Sequence, residues 1–118
     1  MTGRQDLFDE SMRLGHSAVW DLQWGKAIEY YRKALAEFPD HPTALNSLAL
    51  ALLESGELKE SLATYRRASQ VAPDDAIPIE KMSELHERLG QLKEALELRD
   101  RASDLYTRQR NVDKALDN

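Results

Sequence analysis

The sequence of 118 residues has no cysteine, only five glycines and four prolines, and no long apolar run. Without cysteine it cannot form disulfides, thiolate zinc sites or iron–sulfur clusters. No stretch reaches the ~18 apolar residues of a membrane span, so we expect no membrane partner. The net charge of −5 argues against binding to nucleic acid. Apolar residues still make up 42% of the chain, as in globular domains, and we predict a single cytoplasmic domain over residues 1–118.

The few glycines and prolines follow a period. Gly56 and Gly90 are 34 residues apart, as are Pro39 and Pro73. Five further sets share this step: Ala27, Ser61 and Ala95; Ala34, Ala68 and Ala102; Leu14, Leu48 and Met82; Ile28, Leu62 and Leu96; and Tyr31 and Tyr65. A period of this length indicates a repeated helix pair, with small residues where the two helices touch.

Apolar residues recur at helical spacing in six segments that are separated by proline or glycine. We predict an all-α fold with helices at about 6–21, 24–38, 42–54, 58–71 and 76–89, and a sixth helix that begins near residue 92. Asp74 or Asp75 is placed to cap the fifth helix. Leu22 occupies the turn position that Gly56 and Gly90 hold, so we expect the first turn to have a different shape, relaxed onto Gly25.

Two interpretations stay open at the C-terminus. Leu98, Leu105 and Val112 keep a helical spacing, which favours one helix that continues to about residue 117. Alternatively, Arg110-Asn111 forms a turn and a seventh helix begins at Val112. We adopt the first interpretation.

Three segments resemble the tetratricopeptide repeat signature, in which Trp-x2-Leu-Gly-x2-Tyr is followed by Ala-x3-Phe and Pro. The first copy is Ser11-x2-Leu14-Gly15-x2-Ala18, then Ala27-x3-Tyr31, then Pro39. The second is Leu45-x2-Leu48-Ala49-x2-Leu52, then Ser61-x3-Tyr65, then Pro73. The third is Ile79-x2-Met82-Ser83-x2-His86, then Ala95-x3-Arg99, with Thr107 in the place of proline.

The resemblance covers about residues 8–109. It implies repeats at about 8–41, 42–75 and 76–109, followed by a C-terminal helical extension over 110–118. It further implies a right-handed superhelical array of antiparallel helix pairs, an α-solenoid, of the kind that usually binds another protein.

Motifs for catalysis are weak in this sequence. His86-Glu87 begins like the zinc motif His-Glu-x-x-His, but Gly90 stands where the second histidine is required, so we interpret His86 as a core residue. Glu80, Glu84 and Glu87 share one helix face, yet the neighbouring repeat offers no facing histidine or carboxylate, so we interpret them as a solvated face. We predict no enzyme, no metal and no cofactor.

The resemblance places the first helix of each pair on the concave surface, where its outward positions form a candidate groove. The predicted groove residues are Met12, Arg13, His16, Val19, Trp20, Asn46, Ser47, Leu50, Leu53, Glu54, Glu80, Lys81, Glu84, Glu87 and Arg88. We expect the core not to use the apolar members of this set, and Trp20 is the preferred anchor because tryptophan is enriched in binding hot spots. The alternative is that Trp20 and Leu53 pack on the N-terminal segment with Leu7 and Phe8.

Some chaperone-binding relatives in this family hold a terminal carboxylate with a basic and amide clamp. The matching positions here are Met12, His16, Ser47, Ile77 and Lys81, of which only Lys81 agrees in charge, so we do not expect this clamp. We predict a module that binds a peptide or helix of a protein partner through apolar anchors and a basic flank. The alternative is a homo-oligomeric scaffold that assembles through the groove or the C-terminal helix.

Overall fold

The computed structural model describes residues 4–117, with side chains as far as residue 113. Its helices are α1 (Gln5–Trp20), α2 (Trp24–Glu37), α3 (Pro42–Glu54), α4 (Leu58–Val71), α5 (Ala76–Arg88) and α6 (Leu92–Asp117). The regular structure of this range is entirely helical, as predicted, and the predicted bounds of the first five helices agree to within one residue. None of these helices has the length and apolar character needed to cross a bilayer.

Consecutive helices pack against each other along the chain. The pairs α1–α2, α3–α4 and α5–α6 are joined through contacts between α2 and α3 and between α4 and α5. One core cluster combines buried residues of α1, α2 and α3, and a second combines residues of α3, α4, α5 and α6. Because each cluster draws on more than one pair, a single pair could not bury its own apolar surface.

A small residue occupies the closest approach of the two helices in each pair. In the second pair, the buried Ser61 hydroxyl donates to the Ala49 carbonyl at 2.7 Å. In the third pair, the buried Ser83 hydroxyl donates to the Ala95 carbonyl, also at 2.7 Å. Ser61 and Ala95 are equivalent in the period, as are Ala49 and Ser83, so the same bond is made with the hydroxyl supplied by the opposite helix. Both buried hydroxyls are thereby satisfied.

In the first pair the corresponding position of α1 is Gly15. The ring of Tyr31, a buried residue of α2, lies directly against the Gly15 backbone, so that a Cβ atom on Gly15 would overlap the ring. Gly15 is therefore required for close packing, and not for a special backbone conformation.

The three turns within pairs have one shape. In each turn, a backbone amide donates a hydrogen bond to the carbonyl five residues earlier at 2.8–2.9 Å. The amides of Gln23, Glu57 and Gln91 donate to the carbonyls of Ala18, Leu52 and His86, respectively. Leu22 has a φ of 58°, in the left-handed region that Gly56 and Gly90 occupy. The expectation of a different turn relaxed onto Gly25 is wrong, because these backbone bonds impose the same turn although it costs a leucine about 1 kcal/mol.

The structure settles two points about α5 and α6 that the sequence left open. Asp75 caps α5, since its side chain accepts from the Ile77 amide at 3.0 Å. Helix α6 has 26 residues and passes through Arg110-Asn111 without a turn, so the interpretation with a seventh helix is wrong. Residues 1–3 and 118 of the predicted domain lie outside the described residues.

We predict that Gly15→Ala lowers the free energy of unfolding by about 1–2 kcal/mol. The added methyl group would overlap the ring of Tyr31, and the cost of this overpacking exceeds the gain in helix propensity that alanine provides. Gly25→Ala is the matched control, since the space around Gly25 is open and this residue lies in the first turn of α2. Urea denaturation followed by circular dichroism measures both. Equal stability of the two variants would contradict the packing role of Gly15.

Candidate functional site

The predicted groove residues lie on α1, α3 and α5, the first helices of the three pairs. Their side chains fall into three classes of exposure. The exposed members are Arg13, His16, Trp20, Leu50, Glu54, Glu84, Glu87 and Arg88, and the half-buried members are Val19, Asn46, Ser47, Glu80 and Lys81. The buried members are Met12 and Leu53.

Three of the apolar groove residues belong to the core instead. Met12 is 7% exposed and lies in the cluster that joins α1, α2 and α3, and Val19 packs against the same cluster. Leu53 is 9% exposed and shares a cluster with Tyr65 and Ile79. The prediction that the core does not use these residues is wrong, because the first helix of one pair also packs against residues of the next pair.

Two apolar groove residues remain accessible. Trp20 is 88% exposed and Leu50 is 41% exposed. The alternative in which Trp20 packs on the N-terminal segment is wrong for the described residues, because Phe8 is buried against Phe38 and His41 and leaves Trp20 uncovered. The accessible apolar surface of the groove is thus smaller than the sequence indicated.

The floor of the groove includes a tyrosine from a second helix. The hydroxyl of Tyr31, on α2, lies 2.7 Å from Nδ1 of His16 on α1. Burial raises the pKa of Tyr31, and its hydrogen bond with Ser47 on α3 partly offsets this rise. The sequence places Tyr31 only in the repeated period with Tyr65, whereas the structure also brings its hydroxyl to His16 beneath the groove.

Tyr65 holds the equivalent place one repeat later. Burial of its ring, together with the negative charges of Glu84 and Glu54, raises the pKa of Tyr65 to about 12. The floor therefore passes from a histidine environment near α1 to a carboxylate environment between α3 and α5. The period of the sequence pairs Tyr31 with Tyr65, but it does not reveal this difference in their surroundings.

A cavity of about 600 Å³ lies between α5 and α6 at the acidic end of the groove. Its lining residues are Glu80, Ser83, Glu84, Arg99, Ala102, Ser103, Tyr106, Thr107 and Arg110. The Tyr106 hydroxyl donates to Glu80 Oε2 at 2.6 Å, and this bond raises the pKa of Tyr106 to about 12. Arg99 pairs with Glu87 at 2.6 Å. The interpretation as a solvated face fits the exposed Glu84 and Glu87, but Glu80 is half-buried beneath Tyr106.

The histidine of the partial zinc motif lies in the core. His86 is buried, as expected of a core residue, and its Nδ1 atom lies 2.6 Å from Oε1 of Gln91. Among the residues that the structure describes, no group of three or more histidine and carboxylate side chains is placed to hold a metal ion.

Sequence comparison finds one family. A profile of the tetratricopeptide repeat matches residues 12–76. No curated protein matches the sequence significantly.

Several solved structures share the fold at low identity. A structure of MamA from MSR-1 is 20% identical with a TM-score of 0.81, over 86% of this chain and 59% of that chain. A structure of the CopN-Scc3 complex is 17% identical with a TM-score of 0.82, over 89% and 66% of the two chains. The TPR2B domain of yeast Sti1 in a complex with pHsp70 is 18% identical with a TM-score of 0.84, over 96% and 90%. The chain thus spans less than two thirds of the MamA chain.

We predict that stability falls between pH 10 and 12 because of Tyr65. Its pKa is about 12 in the folded state against about 10 for a free tyrosine, so the folded state holds the proton more tightly. The stabilisation is complete below pH 10, and up to about 2–3 kcal/mol is lost as the pH rises to 12. Urea denaturation across this range should show a smaller loss for Tyr65→Phe, which cannot ionise. Identical pH dependence in the two proteins would show that Tyr65 ionises as freely in the folded state as in the unfolded state.

Proposed function

Since the chain belongs to the tetratricopeptide repeat family, we propose that it is a non-catalytic module that binds a segment of a partner protein in the groove on α1, α3 and α5. We further propose that it acts in the cytoplasm. The observation that supports the groove most strongly is the exposure of Trp20 and Leu50 on helices whose other apolar groove residues lie in the core or pack against it. Exposed apolar side chains of this size commonly mark interaction sites.

The free energy gained by covering Trp20 and Leu50 is of the size expected for contacts with a short peptide. Covering one large apolar side chain contributes about 1.5–3 kcal/mol, so Trp20 and Leu50 together contribute about 3–6 kcal/mol. Micromolar binding needs about 8 kcal/mol net of the costs of association, so the remainder has to come from the polar and charged groups of the groove. We expect truncation of these two side chains to cost the fold little stability, because neither lies in a core cluster. Binding and stability are therefore separable by mutation.

Charge favours a basic flank on the partner. The predicted groove carries four glutamates on α3 and α5, opposed there by Lys81 and Arg88; the glutamates are Glu54, Glu80, Glu84 and Glu87. Glu84 lies 3.5 Å from Lys81 in an exposed pair, which is worth little in water. A lysine or arginine of the partner is thus the complementary group at this end of the groove.

Structural neighbours support a role in protein binding. The solved structures that share this fold include a complex of CopN with Scc3 and a complex of the Sti1 domain with pHsp70. The groove residues differ from the carboxylate clamp at four of five positions, so we propose internal apolar anchors and not a terminal carboxylate as the recognised feature.

Self-assembly through α6 is a second candidate. Leu92 and Leu96 are exposed on α6, whereas their equivalents Leu58 and Leu62 are partly buried against the second core cluster. Light scattering during gel filtration distinguishes the two candidates. A constant mass of about 13.5 kDa over a tenfold range of loading supports a monomeric binding module, and a doubled mass that Leu96→Glu abolishes supports self-assembly.

We predict that Trp20→Ala and Leu50→Glu each weaken peptide binding about tenfold, because each removes an anchor worth at least 1.4 kcal/mol. The ligands are short peptides that are selected from a random display library on the wild-type protein and then measured by fluorescence anisotropy. Val71→Ala is the control, since Val71 is exposed on α4, a second helix. Circular dichroism should show an unchanged fold in all three variants. Unchanged affinity for both groove variants would refute the groove as the binding site.

A further inference from the structure

The turn between α1 and α2 exposes two large apolar side chains. Trp20 is 88% exposed and Leu22 is 70% exposed. The equivalent pair is Glu54 and Gly56 in the second turn, so charge and glycine occur where the first turn has tryptophan and leucine. This contrast exists although all three turns make the same backbone hydrogen bonds.

The Leu22 side chain does not contribute to the core of the fold. The Leu22 side chain belongs to neither core cluster, and its φ of 58° is a conformation that favours glycine. Glycine at position 22 would relieve this strain and would expose less apolar surface. Packing within the described residues therefore gives no reason for leucine at position 22.

The size of the apolar patch identifies the kind of occupant. The exposed parts of one tryptophan and one leucine amount to a few hundred Å² at most, against about 800 Å² on each partner in a stable protein interface. A second copy of the chain would need a much larger surface. The patch instead fits one or two side chains of a short segment.

The turn between α3 and α4 carries negative charge close to this apolar patch. Helices α2 and α3 pack together and are joined by a short connection, so the start of α2 lies on the same side of the array as the end of α3. The axes of packed helices are generally about 8–10 Å apart, and we take this as the separation of the two turns. Asp21 in the first turn and Glu54 and Glu57 in the second are exposed. Residues 20–23 and 54–57 contain no lysine or arginine. The two turns together therefore present an apolar patch beside an acidic one.

We propose that the two turns form a rim site that recognises an extended segment of the partner, with a large apolar residue on Trp20 and Leu22 and a basic residue at Glu54 or Glu57. An extended chain advances about 3.3 Å per residue, so the two recognised residues are about three positions apart. The rim site rests on the proposed function and extends the groove, since Trp20 and Glu54 belong to both.

Peptide display tests this site. Selection from a random library on the wild-type protein should enrich a large apolar residue about three positions from lysine or arginine. Leu22→Gly should bind the enriched peptides about tenfold more weakly with an equal or higher melting temperature, whereas Leu22→Met should bind them within about twofold. Val71→Ala is the control, because it truncates an exposed apolar residue at the end of α4 that lies opposite the turn at Glu57.

Each other outcome overturns the rim site. Equal affinity of Leu22→Gly and wild type, a motif without the basic residue, or a lower melting temperature of Leu22→Gly would each contradict it. If Leu50→Glu loses the peptides while Leu22→Gly keeps them, the groove is correct and the rim site is wrong. If neither variant loses them, or if no peptide is enriched, both are wrong.

Discussion

The close approach of the two helices in each pair is the constraint on which the rest of the structure depends. It needs a small residue at one position of each first helix: Gly15 in α1, Ala49 in α3 and Ser83 in α5. Where a serine occurs at this approach, its hydroxyl bonds to the facing backbone carbonyl, so that the polar group adds no cost of burial. Where glycine occurs, a tyrosine ring fills the space.

This approach also links the core to the groove. Because the paired helices lie close together, Tyr31 on α2 and Tyr65 on α4 reach groups of the first helices. Tyr31 meets His16, and Tyr65 lies near Glu54 and Glu84. Residues that stabilise the array thus also lie close to the polar groups of the surface that faces a partner, which are a histidine at Tyr31 and two glutamates at Tyr65.

The candidate binding surface consists of the residues of the first helices that remain exposed after the helices have packed. Met12, Val19 and Leu53 are used between pairs, which leaves Trp20 and Leu50 as apolar anchors and the glutamates as a charged flank. The turn at Leu22 adds exposed apolar surface at a backbone conformation that opposes leucine. Such a conflict between local preference and residue type is expected at functional positions and not in the core.

The all-α class, the bounds of five helices, the turn positions and a cap at Asp74 or Asp75 follow from the sequence, because these features depend on residues close together in the chain and on a period of 34. The structure selects Asp75 as the cap. Only the tertiary structure decided which groove positions are covered. The burial of Leu53 depends on how α3 meets α5, and this contact joins residues of different repeats. The left-handed backbone conformation of Leu22 also depends on tertiary structure. The antiparallel packing of α1 and α2 imposes one turn shape, whatever residue occupies this position.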